Sequence, residues 1–230
     1  MSVENMHFVP DHGLQIQEQK DRNGVYHLFR YWWAWLLARE LKVKKIWDLG
    51  CGCGYGCRIL REQLDIEVLG VDVDPTALNR ARGAYQLPGV TYDQVDLDKV
   101  WTMEHKADCV VSFHTLEFLR NRALFLDRVA NSLTEHGVFL FSTQTHTSAV
   151  YEPDWDRQQI IYDRQQVDRL LRRHFTYVAH AHDDKNFPAY EFRRKTRDEV
   201  GYPVGDNLWY CRMPIHTKDQ IHDAAPGPTT

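Results

Sequence analysis

With 230 residues, 43% of them hydrophobic and 26% charged, the chain is long enough to bury one full core and short for two domains. A net charge of −4 gives no global attraction to nucleic acid or to an anionic membrane surface. No apolar run reaches the length of a membrane span, and residues 1–7 lack the basic and apolar regions of a secretory leader, so a cytoplasmic location is expected.

Residues 1–25 are polar and weakly patterned and read as an arm or cap. Over residues 26–41 the apolar spacing becomes helical, with Leu28, Trp32, Trp35, Leu36 and Arg39 near one stripe and Trp33 and Leu37 widening it. The run Ile46-Trp47-Asp48-Leu49-Gly50-Cys51-Gly52-Cys53-Gly54-Tyr55-Gly56 is an apolar strand that ends in a turn with glycine at every second position. Such a turn lets backbone approach a ligand with no Cβ in the way, and the following helix offers N–H groups at its start. A nucleotide-like cofactor is implied. The acidic residue precedes the glycines, where it could meet an ammonium group. Asp72 then falls at the end of the next strand, about 20 residues on, where nucleoside-binding folds place the carboxylate that accepts ribose hydroxyls.

Asp-x-Gly-x-Gly-x-Gly resembles motif I of the class I S-adenosylmethionine (SAM)-dependent methyltransferases, and Val68-Leu69-Gly70-Val71-Asp72-Val73-Asp74-Pro75 is similar to their second motif. The resemblance implies SAM as cofactor. It implies roles for Asp48, Gly50, Cys51, Gly52 and Gly54 in the turn and for Asp72 and Val73 at the ribose. Residues 89–97 look like a third strand whose end would set Asp96 against the adenine amine and Leu97 against the ring, with Asp98 as the runner-up. Ser112 and Phe113 close the fourth strand beside the cofactor. Leu133-Thr134-Glu135-His136-Gly137 stands where relatives carry an L-x-P-G-G turn before the fifth strand. His27-Leu28-Phe29-Arg30-Tyr31 resembles an H-x-x-R-Y element, by which Arg30 would grip the SAM carboxylate and Tyr31 close over the methionine moiety; the plainer reading is that both merely cover the sheet edge.

Helical stretches at 57–64, 75–85 and 121–133 alternate with these strands, a rhythm that demands parallel pairing with right-handed crossovers. A basic amphipathic helix (163–173), a strand (175–182), a polar irregular stretch (183–206) and a last strand (208–215) follow. The expected fold is α/β and Rossmann-like: a seven-stranded, mostly parallel sheet with an antiparallel last strand and helices on both faces. It would span residues 26–216, and residues 217–230 read as a disordered tail.

Cys51, Cys53 and Cys57 invite a metal reading, but no second Cys/His pair follows, and small side chains are required inside a glycine turn. Cys109 and Cys211 read as small core residues. Ubiquinone-pathway O-methyltransferases carry Glu-x-x-Glu-His after the fourth strand and bind a metal; here the segment is His114-Thr115-Leu116-Glu117-Phe118, with one ligand gone, so no metal is expected.

Nucleobase amino-methylation needs a Pro-Pro loop at that position and cytosine C5 methylation a Pro-Cys pair, and neither dipeptide occurs. His114 and Glu117 are therefore the first candidates for chemistry, since an imidazole is suited to take a proton from an attacking hydroxyl. The alternative is that this segment only packs against the cofactor. His146, leaving the fifth strand, is the second candidate base. Residues 186–197 mix aromatics with four basic residues, a pattern that can bind phosphate, though nearby acids dilute the charge.

The expected function is methyl transfer from SAM to O or N of a small-molecule or sugar-type acceptor. The rivals are an RNA or nucleotide methyltransferase using residues 193–197 and a catalytically silent SAM-binding subunit docked through Trp32, Trp33 and Trp35. Nucleic acid and membrane are not expected partners, and a homodimer is one assembly open to the chain.

Overall fold

In the computed structural model, residues 22–62, 64–143, 163–180 and 208–216 are described, with side chains from Arg30 onward. Chain order is α1 (Arg22–Glu40), β1 (Lys45–Leu49), α2 (Tyr55–Arg61), β2 (Glu67–Asp72), α3 (Pro75–Ala84), β3 (Val90–Gln94), β4 (Ala107–Phe113), α4 (Arg122–Ser132), β5 (Leu133–Ser142), α5 (Arg164–Leu171), β6 (Phe175–His180) and β7 (Leu208–Pro214).

The seven strands form one sheet in the order β3-β2-β1-β4-β5-β7-β6. β1 to β5 pair in parallel, while β7 runs antiparallel to both β5 and β6. β1 and β4 are buried almost throughout, the pattern of strands covered on both faces. One face packs Trp33, Ile46, Leu60, Val68, Leu78 and Leu140 beneath α1, α2 and α3. The other packs Trp47, Leu49, Phe125, Phe139, Phe141 and Trp209 beneath α4 and α5. Strand order reverses between β1 and β4, which opens a crevice at their carboxyl ends. The expected sheet, including its antiparallel end, is the one observed.

Local chemistry sets the helix starts. Asp74 caps α3 by accepting from Thr76 N at 2.8 Å, with Pro75 at the first helical position. Asp163 and Gln166 close a reciprocal capping box on α5.

Several expectations need correction. α2 begins at Tyr55 and ends at Arg61, earlier than the 57–64 read from the sequence. On α1 the buried residues are Tyr31, Trp33, Ala34, Leu37 and Ala38: Trp33 and Leu37, expected at the edge of the stripe, belong to the buried face, and Trp32, Trp35 and Leu36, expected at its centre, are half-buried. Ala34 and Ala38 are buried beside Trp33, which lies in the core at 1% exposure. Trp35 donates its indole N–H to the Glu62 carbonyl at 2.8 Å and is covered by the Arg39 guanidinium. The three tryptophans therefore form no common docking face. Residues 134–137 lie within β5, but the register jumps from Ala107↔Leu133 to Cys109↔Val138, so the expected turn survives as a bulge. The arm before residue 22, the basic stretch at 186–197, His146 and the tail at 217–230 lie outside the described residues.

Candidate active site

The turn after β1 holds Gly50, Gly52 and Gly54 at φ of +84°, +54° and +84°, left-handed conformations that disfavour a Cβ. The three glycines have different reasons. A Cβ on Gly50 would strike the Thr115 side chain, and one on Gly54 would meet Ala81 Cβ at 2.6 Å and the Tyr92 ring. Gly52 alone of the three faces open space among the described residues, with nothing within 4 Å of the position its Cβ would take. Gly50 was expected to admit the cofactor, but its side is filled by the protein itself. Gly50 N and Cys51 N are also spent on the Val71 carbonyl, at 2.8 and 2.9 Å.

Asp72 ends β2, with Oδ2 accepting from Gly52 N at 2.8 Å and Oδ1 from Asp74 N at 3.0 Å. A carboxylate has about four lone-pair sites, so acceptor capacity remains toward the crevice. Val73 beside it stands 57% exposed. Asp96 accepts from Asp98 N and pairs with Lys99 Nζ at 3.1 Å, and the Lys99 contact first of all holds its carboxyl below the usual range. Leu97 is buried beneath it. Asp98 instead binds Arg120 N and Asn121 N, at 2.7 and 2.9 Å, and ties this loop to the segment after β4.

Asp48 is not open to an ammonium group: it is fully buried, accepts from Tyr31 Oη at 3.0 Å and lies 3.3 Å from Cys57 Sγ. Burial pushes its carboxyl up to about 7, against the opposing effect of those two donors. Tyr31 meets the rings of Tyr55 and Phe113 edge-on, at 5.4 and 5.1 Å, so it ties α1 to the start of α2 and the end of β4. Arg30 precedes it, half-buried, with a charge felt by the Tyr55 hydroxyl. Ser112 is buried and donates to the Leu49 carbonyl at 2.8 Å, and Thr115 adds a second bond there. Ser112 thus fixes the β1 exit from behind.

The segment leaving β4 carries the chemical groups. His114 sits at φ +57°, a strained conformation for a residue with a Cβ, and its N–H donates to the Ser142 carbonyl at 2.9 Å. That places its ring, 18% exposed, 2.8 Å through Nδ1 from Glu117 Oε1. Glu117 is 1% exposed, and its Oε2 accepts from Thr143 Oγ1 at 2.8 Å. Burial raises the Glu117 carboxyl, but the bond and charge of His114 and the Thr143 hydroxyl outweigh it, leaving the carboxyl below its ordinary range. The sequence reading missed Thr143 and the buried Arg122; their signal, a polar residue at a strand end and a cation opening a helix, has meaning only once β4 and β5 are adjacent. Among the described residues no cluster of three His, Cys, Asp or Glu could hold a metal ion, and no helix is long and apolar enough to cross a membrane.

A mostly parallel sheet with this strand order, a glycine turn facing open space and an acidic residue ending β2 make a Rossmann-like fold of the kind seen in solved SAM-dependent methyltransferases. Residues 47–141 match the family model described as "Methyltransferase domain". It is similar to a probable SAM-dependent methyltransferase of Mycobacterium tuberculosis, 31% identical over 107 residues covering 46% of this chain and 38% of that protein. A malonyl-[acyl-carrier protein] O-methyltransferase of Acetivibrio thermocellus is 28% identical over 102 residues, 44% of this chain and 36% of that one. The chain thus spans less than two fifths of the length of these curated relatives. In fold it resembles the SAM-dependent methyltransferase from Mesorhizobium loti, with TM-score 0.55, 21% identity, and coverage of 75% and 91% of the two chains.

Proposed function

We propose that this domain transfers a methyl group from SAM to a hydroxyl oxygen of a small-molecule acceptor, with His114 as general base. SAM, when bound, supplies an electrophilic methyl on its sulfonium sulfur. Asp72 would accept its ribose hydroxyls, Asp96 its adenine amine, and Val73 and Leu97 would border the ring. Gly52 leaves the space into which it fits, while Phe113, Tyr31 and Arg30 line the methionine side.

One observation carries the choice of oxygen: the 2.8 Å contact of His114 Nδ1 with the buried Glu117 carboxylate. With Nδ1–H donating to Glu117, Nε2 is left as the acceptor that an attacking hydroxyl needs as it loses its proton. Glu117 also stabilises the imidazolium so formed. An amine bound neutral would need no such pair. The loop leaving β4 lies at the carboxyl edge of the sheet, where ligands of such folds sit. The test is SAM turnover against a panel of hydroxylated and amino metabolites, with His114→Ala in parallel. Turnover of hydroxyl acceptors that depends on His114 supports the reading; turnover of amines alone, indifferent to the substitution, overturns it.

A further inference from the structure

The His114–Glu117 pair rests on groups that lie well apart from it in sequence. Glu117 exposes 1% of its surface and engages His114 with only one oxygen, so the second oxygen of a buried anion needs its own donor. Thr143 provides it, at 2.8 Å, from the residue that follows the end of β5. The same junction is closed by backbone, since His114 N donates to the carbonyl of Ser142. From the other side Arg122, buried at the first position of α4, gives Nε to the Leu116 carbonyl at 3.1 Å and Nη2 to the Glu117 carbonyl at 3.3 Å. A cation at a helix N-terminus opposes the helix dipole, so its presence there answers to these two carbonyls and not to the helix. The turn holding Glu117 is thereby clamped between the starts of α4 and the end of β5.

We propose that Thr143 is a positioning residue for the chemistry: its hydroxyl fixes the rotation of the Glu117 carboxylate so that one oxygen faces His114 Nδ1, which selects the tautomer whose Nε2 accepts a proton. The inference rests on the proposed role of the pair. The hydroxyl also disperses the charge on Glu117, so removing it strengthens the hold of that carboxylate on the imidazolium. Serine preserves the donor, whereas valine keeps the shape and deletes it.

The experiment is a pH titration of the ¹⁵N-labelled histidine side chains of the full chain, assigned by the loss of the His114 signals in His114→Ala. Glu117→Gln removes the partner charge and is expected to lower the His114 midpoint. Thr143→Val is expected to raise it, the direction set by losing a hydrogen bond to the charged carboxylate, and to mix the two neutral tautomers. Thr143→Ser is expected to restore both. Thermal protection by S-adenosylhomocysteine reports that each variant is folded, and Thr143→Cys, a weak donor of similar size, replaces the valine variant with a smaller upward shift if that one does not fold. A midpoint that moves in Glu117→Gln but stays at the wild-type value and tautomer in the Thr143 variants overturns the positioning role alone. A midpoint indifferent to Glu117→Gln overturns the pair itself, and with it the reading on which the inference rests.

Discussion

Asp72 and Gly52 are 20 residues apart in the chain and 2.8 Å apart in space, the carboxylate Oδ2 of one accepting from the backbone N–H of the other. The end of β2 thus holds the tip of the glycine turn through the side chain that also faces the crevice. Among the described residues no atom lies within 4 Å of the Cβ position of Gly52, and Asp72 accepts from two backbone N–H groups, one per oxygen. Turn and acid are ordered together, and at the proposed cofactor site ordering the tip before a ligand arrives lowers the cost of binding.

Asp72→Ala is expected to weaken SAM about tenfold or more, because a hydrogen bond to a charged group contributes roughly 1.5–3 kcal/mol. Part of that loss comes from the freed turn, so Asp72→Asn, which keeps an acceptor for Gly52 N, should lose less than alanine. Calorimetric titration with SAM measures both; equal affinity in wild type and Asp72→Ala would remove Asp72 from the site.

Substitutions at the two glycines should separate. Gly52→Val points into open space at φ +54° and is expected to abolish SAM binding with the far-ultraviolet circular dichroism nearly unchanged. Gly50→Val drives a side chain into Thr115 at φ +84° and should destabilise the free protein, with the loss read from its urea midpoint. Retained thermal protection by SAM in Gly52→Val would show that the tip plays no part in binding.

The sheet, its antiparallel end and the pairing of a glycine turn with Asp72 were legible because each is encoded by local pattern: apolar runs, alternating glycines and an acid in register. The roles inside the site were less so. Gly50 and Gly52 read alike in sequence, yet one is filled by Thr115 and the other faces space, a difference made by a residue 65 positions away from Gly50. Asp48 read as a ligand for an ammonium group, but α1 places Tyr31 over it, a contact that helical periodicity did not foretell because the buried stripe of α1 is centred nearer Trp33 and Leu37 than the apolar spacing suggested. Thr143 carried no signal until β5 lay beside β4.

Asp48 should make stability depend on pH. Its carboxyl is pushed from 3.8 to about 7 by burial, so the folded state holds a proton that the unfolded state releases. The sign follows: any stabilisation from the protonated form is complete below pH 3.8, is lost progressively as pH rises toward 7, and is gone above that. Asp48→Asn, neutral at every pH, is expected to flatten this slope, so that urea unfolding at pH 5 and pH 8 differs less in the variant than in wild type. An equal difference in both proteins would mean that Asp48 is ionised in the fold throughout.

The chemistry makes the sharpest demand. A general base in this position is typically worth about 10²–10⁴-fold in rate, so His114→Ala should lower turnover by roughly that factor while SAM affinity stays near wild type, because the proposed role sets the imidazole against the acceptor and not the nucleoside. Glu117→Gln should fall between the two, since amide for carboxylate keeps a hydrogen bond to Nδ1 but withdraws the charge that stabilises the imidazolium. The wild-type rate should drop in acid as the imidazole takes its proton before the acceptor can give one. Loss of that acid limb in His114→Ala, at whatever residual rate remains, would tie the titration to this residue. The comparison that decides is His146→Ala under saturating SAM: a dead His146 variant beside an active His114 variant would transfer the base to His146, and two fully active variants would mean that the acceptor loses its proton without help from either imidazole.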